Sequence, residues 1–303
     1  MLVVEFTRSS KYHLMETILG NEKMEFFLLQ PINHDTGETE SADGRFLWEV
    51  TGVRLDPDLN DGDRGFCIRT ANVVLATGSN DIPNKLQIPG ESLDFVHHSV
   101  RFVDSTMKCV EGETNQPVLV VGAGLSAADA ILAAKKKKLP VIHVFRETPC
   151  GNPAMMLRRL PKAIYPEYVH MYALMCGDEE AEWYKPYPHY SITAFLSDNQ
   201  VMVESVDGET EILTVSIALV QIGSSPDLSY LPLRGTSLGV ISDMNIDSKH
   251  NPIDICPYTY QCVNELGMYA MGPLVGDNFI RFLQGGALAI TQHVQMKKGM
   301  IKM

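Results

Sequence analysis

The 303-residue chain lacks the cysteine patterns that mark redox motifs and zinc sites. It has no Cys-x-x-Cys pair and no Cys/His cluster with the spacing of zinc ligands. Its N-terminus has no apolar stretch long enough for a signal sequence, so no export to an oxidising compartment is indicated. We therefore expect no structural disulfides, no metal site and a cytoplasmic location. The six cysteines are Cys67, Cys109, Cys150, Cys176, Cys256 and Cys262.

Positive charge is also scarce, with 25 Lys and Arg against 37 Asp and Glu, for a net charge of -12. Such a chain repels phosphate backbones, so we expect no nucleic-acid partner. The basic run 135–138 ends a predicted helix, where lysines complement the helix dipole. The longest apolar run, 117–134, is broken by Gly122, Gly124 and Asp129 and predicts a buried strand and helix rather than a membrane span.

The apolar periodicity that is present predicts an α/β protein. Residues 24–30, 46–55 and 66–75 are separated by turn-rich connections and predict an antiparallel meander. A βαβ unit follows, with strand 118–121, helix 125–138 and strand 141–145. Further predicted elements are a helical insertion at 149–190, a hairpin at 201–206 and 211–215, buried strands at 217–222 and 268–271, and a closing helix from about Gly286.

The turn of this βαβ unit carries a G-x-G-x-x-A fingerprint. Gly122 permits the tight turn, Gly124 leaves room for a pyrophosphate, and Ala127 permits close packing of helix and strand. With Leu125 and Ser126 it opens a helix whose N-terminus favours negative charge. The fingerprint predicts dinucleotide binding, the alternative being a purely structural turn.

Arg146 ends the second strand of the unit and bears on the choice of nucleotide. An acidic residue there would bind the ribose hydroxyl of NAD, whereas an arginine can pair with the 2′-phosphate of NADP. We therefore expect NADPH. The neighbouring Glu147 leaves open that Arg146 is only an exposed strand-end residue.

Two further segments predict contacts with a flavin. Thr77 and Gly78 end a buried strand, as at the domain crossing of two-dinucleotide flavoproteins. Gly272 and Asp277 follow the last strand, where an acidic group can approach the ribityl chain of FAD. The pair 285–286 is expected at the start of the closing helix, facing the flavin ring.

Together these segments resemble flavin-containing monooxygenases and, more closely, the oxidative stress-induced growth inhibitor family. The resemblance rests on VVGAGLSAADAILAA (120–134), PVIHVFRE (140–147), LPKAIYPEYVHMY (160–172) and YAMGPLVGDNFIRFLQGGALA (269–289). It implies a Rossmann-like flavoprotein with two dinucleotide-binding domains, in which NADPH reduces FAD and reduced FAD activates O₂. It also implies links to growth restraint, differentiation, oxidative stress and cell division, with association with the midbody.

The chain departs from this family pattern at two places. No G-x-G-x-x-G unit for FAD precedes residue 78, so we expect an N-terminally truncated flavoprotein in which FAD binding is weakened. The linker motif of the monooxygenases is only partly matched by Phe95-Val96-His97-His98-Ser99. A histidine pair in a loop is more often structural than a ligand.

We assign residues 1–90 and 227–303 to an incomplete FAD-binding domain, and 116–226 to an NADPH-binding domain. Three functions remain open: an NADPH-dependent flavin monooxygenase, a regulatory protein that keeps the fold without turnover, and a disulfide reductase. The absence of Cys-x-x-Cys argues against the last. No residue is nominated as catalytic, and the substrate and oligomeric state are not predicted.

Overall fold

The computed structural model describes residues 2–5, 24–31, 48–54, 65–98, 116–147, 149–150, 155–297 and 299. The strands are β1 (Leu2–Glu5), β2 (Met24–Pro31), β3 (Trp48–Arg54), β4 (Gly65–Thr70), β5 (Val73–Ala76), β6 (Ile82–Pro83), β7 (Val96–His97), β8 (Val118–Val121), β9 (Val141–Phe145), β10 (Tyr184–Pro188), β11 (Tyr190–Leu196), β12 (Gln200–Ser205), β13 (Thr210–Thr214), β14 (Ile217–Val220), β15 (Ser224–Ser225) and β16 (Met268–Ala270). The α-helices are α1 (Leu125–Lys136), α2 (Met156–Arg159), α3 (Pro166–Cys176) and α4 (Ile280–Lys297), with 3₁₀ turns at Pro232–Leu238 and Gly272–Val275.

The chain divides into two compact units. Unit 1 comprises Met1–Ile82 and Ser224–Met303, and unit 2 comprises Pro83–Gly223. The predicted linker after residue 90 therefore falls within unit 2, where β7 forms a sheet edge. The assignment of FAD and NADPH to the two units stays a prediction.

Unit 2 is built on a parallel sheet in the order β10-β9-β8-β14-β7. One face, including Val118 and Val120, packs on α1 and α3, and the other face, including Leu119 and Val121, packs on the antiparallel sheet β11-β12-β13. Burial of both faces explains why β8 and β14 are wholly apolar. The predicted α/β fold is confirmed.

Unit 1 contains a parallel sheet, β1-β5-β16, and an antiparallel meander, β2-β3-β4. The single strand predicted at 66–75 is wrong, because the chain turns at Ala71 and Asn72 and enters the parallel sheet. The Thr70 hydroxyl donates to the Asn72 carbonyl oxygen at 3.1 Å and holds this turn. The burial pattern of the side chains also changes at this turn, from alternating exposure in β4 to continuous burial over Val73–Leu75.

Two other boundaries differ from the sequence prediction. The helical insertion at 149–190 holds α2 and α3 but ends in strand β10, which pairs in parallel with β9. Its prolines, Pro186 and Pro188, are tolerated because β10 is an edge strand. The closing helix begins at Ile280 rather than near Gly286, so both predicted glycines lie inside it.

Candidate functional site

The turn between β8 and α1 requires glycine at its first position. Gly122 has φ of +116°, and a Cβ there would lie 2.3 Å from the carbonyl oxygen of Gln221. Its N–H donates to the Val144 carbonyl oxygen at 3.0 Å. A side chain at this position would therefore meet both backbone strain and a backbone clash.

Gly124 presents the opposite situation, because none of the described residues requires it to be glycine. Its φ of -89° and ψ of -176° suit any residue, and a Cβ would have no atom within 4 Å. It is the N-cap of α1, which begins without a side-chain cap and without an acidic residue in its first turn. The N–H groups of that turn and the positive end of the helix dipole are therefore left for an anion.

The three residues that follow begin the helix. Ala127 is fully buried and packs against the strand residues Val118 and Val120. Leu125 is half-buried on the same cluster, and Ser126 is half-buried in the first turn. The small side chain at 127 thus permits the close approach of helix and sheet that the fingerprint predicts.

Arg146 directly follows β9 and is exposed. Because β9 lies beside β8 in the parallel sheet, Arg146 and the glycine turn emerge at the same edge of that sheet. Ligands of open α/β sheets bind at the carboxyl ends of the strands. The structure thus brings Arg146 to the edge at which the fingerprint lies.

His143, on the neighbouring strand β9, supports this turn. No local sequence pattern pointed to this role. His143 is fully buried, and its Nε2 lies 2.6 Å from the carbonyl oxygen of Gly122. Its Nδ1 lies 2.8 Å from the hydroxyl of Tyr184 on β10. The carbonyl can only accept, so Nε2–H donates to Gly122 and Nδ1 accepts from Tyr184. Neutral His143 therefore ties the glycine turn to two neighbouring strands.

This histidine should make the stability of unit 2 depend on pH. Burial lowers the pKa of His143 to about 4, against the opposing effect of its bond to Gly122. The pKa of His143 in the folded state lies below its value in the unfolded state. Its contribution to the unfolding free energy is therefore fully present above about pH 6.5 and is lost as the pH falls toward 4. From pH 7.5 to 5 the loss should be about 2 kcal/mol.

The measurement is urea unfolding of the intact chain and of His143→Gln at both pH values. The variant should lose about 2 kcal/mol less than the parent between the two pH values. His170→Gln, which removes a half-exposed histidine from α3, is the control. Equal pH slopes in the parent and His143→Gln would contradict the prediction.

The linker histidines have structural surroundings. The His98 Nε2 lies 2.8 Å from Glu91 Oε1, and the Glu91 carboxylate also accepts the N–H groups of Leu86 and Gln87 at 2.6 and 2.7 Å. His97 lies on the edge strand β7. Ser99, the last residue of that motif, falls outside the described residues.

In unit 1 the predicted flavin segments meet at one sheet edge. Thr77 and Gly78 follow β5, and Gly272 follows β16, its parallel neighbour. Thr77 is buried, and its Oγ1 lies 3.5 Å from the Tyr230 hydroxyl. Gly78 and Gly272 have φ of +80° and +71°, which favours glycine at both positions.

Tyr260 links two of the three remaining predicted flavin positions, Asp277 and Gly286. Its hydroxyl donates to Asp277 Oδ2 at 2.9 Å, and its ring would lie 3.0 Å from a Cβ at Gly286. Gly286 therefore serves the packing of α4 on this ring. The expectation that Gly285 and Gly286 start the helix is wrong, because both follow Ile280 by more than a turn. Gly285 is exposed on α4, with open space at its Cβ position.

The described part of the chain also bears on metal binding and on membrane spanning. Its histidine, cysteine and acidic side chains form no group that could hold a metal ion. None of the helices described is both long and apolar enough to cross a membrane.

A comparison with protein families matches residues 40–250 to the pyridine nucleotide-disulphide oxidoreductase family. Curated relatives include oxidative stress-induced growth inhibitor 1 of Homo sapiens, 39% identical over 87% of this chain and 56% of the relative. Oxidative stress-induced growth inhibitor 2 of Homo sapiens is 41% identical over 81% of this chain and 49% of the relative. The chain thus spans about half the length of these relatives, and the predicted resemblance is confirmed.

Solved structures of flavin- and NAD(P)-dependent oxidoreductases share the fold. The bacillithiol disulfide reductase of Bacillus cereus has a TM-score of 0.61 and 17% identity, covering 90% of this chain and 71% of its own. The ornithine N-hydroxylase of Kutzneria has a TM-score of 0.58 and 16% identity, covering 91% and 72%. These likenesses establish a Rossmann-like flavoprotein fold.

Proposed function

Because the chain belongs to the pyridine nucleotide-disulphide oxidoreductase family, we propose that it is an NADPH-binding member of an FAD-dependent, monooxygenase-like oxidoreductase. The names of its relatives support a role in oxidative stress and growth inhibition. We extend the proposal to differentiation and cell division and to a cytoplasmic location, including the midbody.

The observation that carries this proposal is the contrast between the two glycines of the turn. The fold itself accounts for Gly122, whereas no contact among the described residues accounts for the open space at Gly124. A pyrophosphate at the uncapped start of α1 would account for it, because close approach of the phosphates requires a residue without a side chain.

We propose that the residues present hold NADPH at the glycine turn and meet FAD only along its ribityl side. The first turn of α1 would hold the pyrophosphate of NADPH, and Arg146 would pair with its 2′-phosphate. Thr77, Gly78, Gly272 and Asp277 would lie along FAD in unit 1. When bound, NADPH supplies a hydride and FAD supplies the ring that accepts it. The protein binds and orients the cofactors, and His143 holds the glycine turn in place.

A regulatory function without turnover is the second candidate. It is favoured by the names of the relatives, which describe growth inhibition rather than a reaction. The two candidates differ in NADPH oxidation, which only the enzyme would catalyse.

The nucleotide assignment is tested through Arg146. The chain should bind NADPH more tightly than NADH by about 1–3 kcal/mol, roughly 5- to 150-fold, since the 2′-phosphate adds a charge-assisted contact. Arg146→Ala should remove most of this preference while leaving NADH affinity unchanged. Titration calorimetry with both nucleotides measures it.

Arg159→Ala is the matched control, because it removes the same charge from an exposed position at the end of α2. Equal affinity of the unmodified chain for NADPH and NADH would refute the assignment. The assignment would also be refuted if Arg159→Ala lost the preference for NADPH to the same extent as Arg146→Ala.

A further inference from the structure

A buried glutamine beside the glycine turn carries a side-chain donor that no described residue pairs with. Gln221 directly follows β14 and is 5% exposed. Its Nε2 is buried and has no hydrogen-bond partner among the described residues. An unpaired buried amide nitrogen lowers stability, and folded proteins rarely keep one unless a ligand, an ion or an ordered water accepts from it. The nitrogen therefore indicates a binding partner.

The main chain of Gln221 lies against the turn between β8 and α1. In the parallel pairing of β14 with β8, Val220 is level with Val121, so Gln221 is level with Gly122. The Gln221 N–H donates to the Val121 carbonyl oxygen at 2.8 Å. Its own carbonyl oxygen would lie 2.3 Å from a Cβ at Gly122. Gln221 is thus fixed at the carboxyl edge of the sheet, beside the fingerprint.

The alternation of side chains along the strand places Gln221 on the face that carries α1. Ile217 and Leu219 pack in the cluster that includes α1. Val220 and Ile222 pack on the opposite face, with the sheet β11-β12-β13. Gln221 continues the first series, because successive side chains of a strand point to opposite faces. Its unpaired nitrogen therefore lies on the face where α1 begins without a side-chain cap.

Gln221 and Arg146 flank the glycine turn on opposite sides. The sheet order places β9 on one side of β8 and β14 on the other. Arg146 follows β9, where the 2′-phosphate of the adenosine half would lie. A dinucleotide crosses the carboxyl edge of such a sheet at the point where the strand order reverses. Its nicotinamide half would therefore extend toward the end of β14 and Gln221.

We propose that the Gln221 amide binds the nicotinamide half of NADPH. Its Nε2–H group donates to an oxygen of the nicotinamide ribose or of the phosphate joined to it, both of which accept hydrogen bonds. Because no described residue bonds this nitrogen, a rotation of the side chain toward the ligand breaks no hydrogen bond. The inference rests on the proposed function, since it requires the dinucleotide to occupy the glycine turn.

The test compares Gln221→Met with the unmodified chain by titration calorimetry. Methionine keeps the length of the side chain and removes the donor. The variant should bind NADPH and NADH roughly tenfold more weakly, because both contain the same nicotinamide half. The probe 2′-phospho-ADP-ribose, which keeps the second ribose and its phosphate, should show a similar loss. Adenosine 2′,5′-bisphosphate, which lacks that half, should bind the parent and the variant equally.

Two controls separate a ligand contact from a structural role. Gln200→Met makes the same change at a half-buried position of β12, and its nucleotide affinities should match those of the parent. Without nucleotide, Gln221→Met should melt no lower than the parent, because it removes a buried donor that has no partner. A lower melting temperature with unchanged affinities would show that Gln221 serves only the fold, and would overturn the proposal.

The results also separate this inference from the proposed function. If Arg146→Ala loses the preference for NADPH while Gln221→Met keeps full affinity, the Gln221 contact is wrong and the proposed function stands. An equal loss of affinity for adenosine 2′,5′-bisphosphate in Gln221→Met would overturn the assignment to the nicotinamide half. If the unmodified chain binds neither NADPH nor NADH, the proposed function fails and the inference fails with it.

Discussion

Replacing Gly122 by alanine should lower the unfolding free energy of unit 2 by about 3–5 kcal/mol, a large part of the stability of an ordinary domain. The new Cβ would lie 2.3 Å from the Gln221 carbonyl oxygen, and φ of +116° is unfavourable for alanine. The same change at Gly124 should cost less than about 1 kcal/mol, since the space is open and φ is ordinary. It should nevertheless weaken NADPH binding roughly 100-fold, because the methyl group occupies the approach of the pyrophosphate.

Urea unfolding and titration calorimetry on the two variants separate these effects. Gly177→Ala is the control for backbone strain, because Gly177 has φ of +76° but no atom within 4 Å of its Cβ position. The additional loss of unfolding free energy in Gly122→Ala, relative to this control, measures the energetic cost of the clash. Unchanged NADPH affinity in Gly124→Ala would show that the open space does not receive the nucleotide.

The second large effect concerns FAD. The sequence contains one dinucleotide fingerprint, which the proposed NADPH site uses. The 303-residue chain expressed by itself should therefore purify colourless and oxidise NADPH no faster than background. Each missing charge-assisted phosphate contact is worth about 1.5–3 kcal/mol, so the loss of two weakens FAD binding roughly 10²- to 10⁴-fold.

The protein for comparison is the same chain extended at its N-terminus by a βαβ segment with a G-x-G-x-x-G turn. It should be yellow, consume NADPH and O₂, and release hydrogen peroxide. Visible absorption after desalting and oxygen uptake measure these properties. Stoichiometric flavin in the unextended chain would show that one fingerprint suffices. An extended protein that holds FAD but never oxidises NADPH would favour the regulatory function.

The local pattern of apolar residues and glycines was enough to predict the central βαβ elements of unit 2. The apolar run 118–121, the glycine spacing and the next apolar run predict β8, α1 and β9 nearly to their observed ends. Such features act over a few residues, through backbone conformation and burial of both faces of a strand. Arg146 could be placed for the same reason, since it directly follows a well-defined strand.

Other boundaries depended on partners distant in the chain. The proline-bearing segment of β10 is a strand because β9 lies beside it. Gly286 lies inside α4, where the absence of a side chain admits the Tyr260 ring. In neither case does the local pattern show the partner.

The side-chain contacts that give the site its detail belong to the tertiary structure alone. His143 meets Tyr184 across 41 positions, and Tyr172 meets Pro149 across 23. Taken as a single residue, a histidine in an apolar strand indicates no such contact. The sequence thus determines the dinucleotide turn, because its causes are local. The contacts of the buried histidine arise only when the packing of strands and helices joins distant segments.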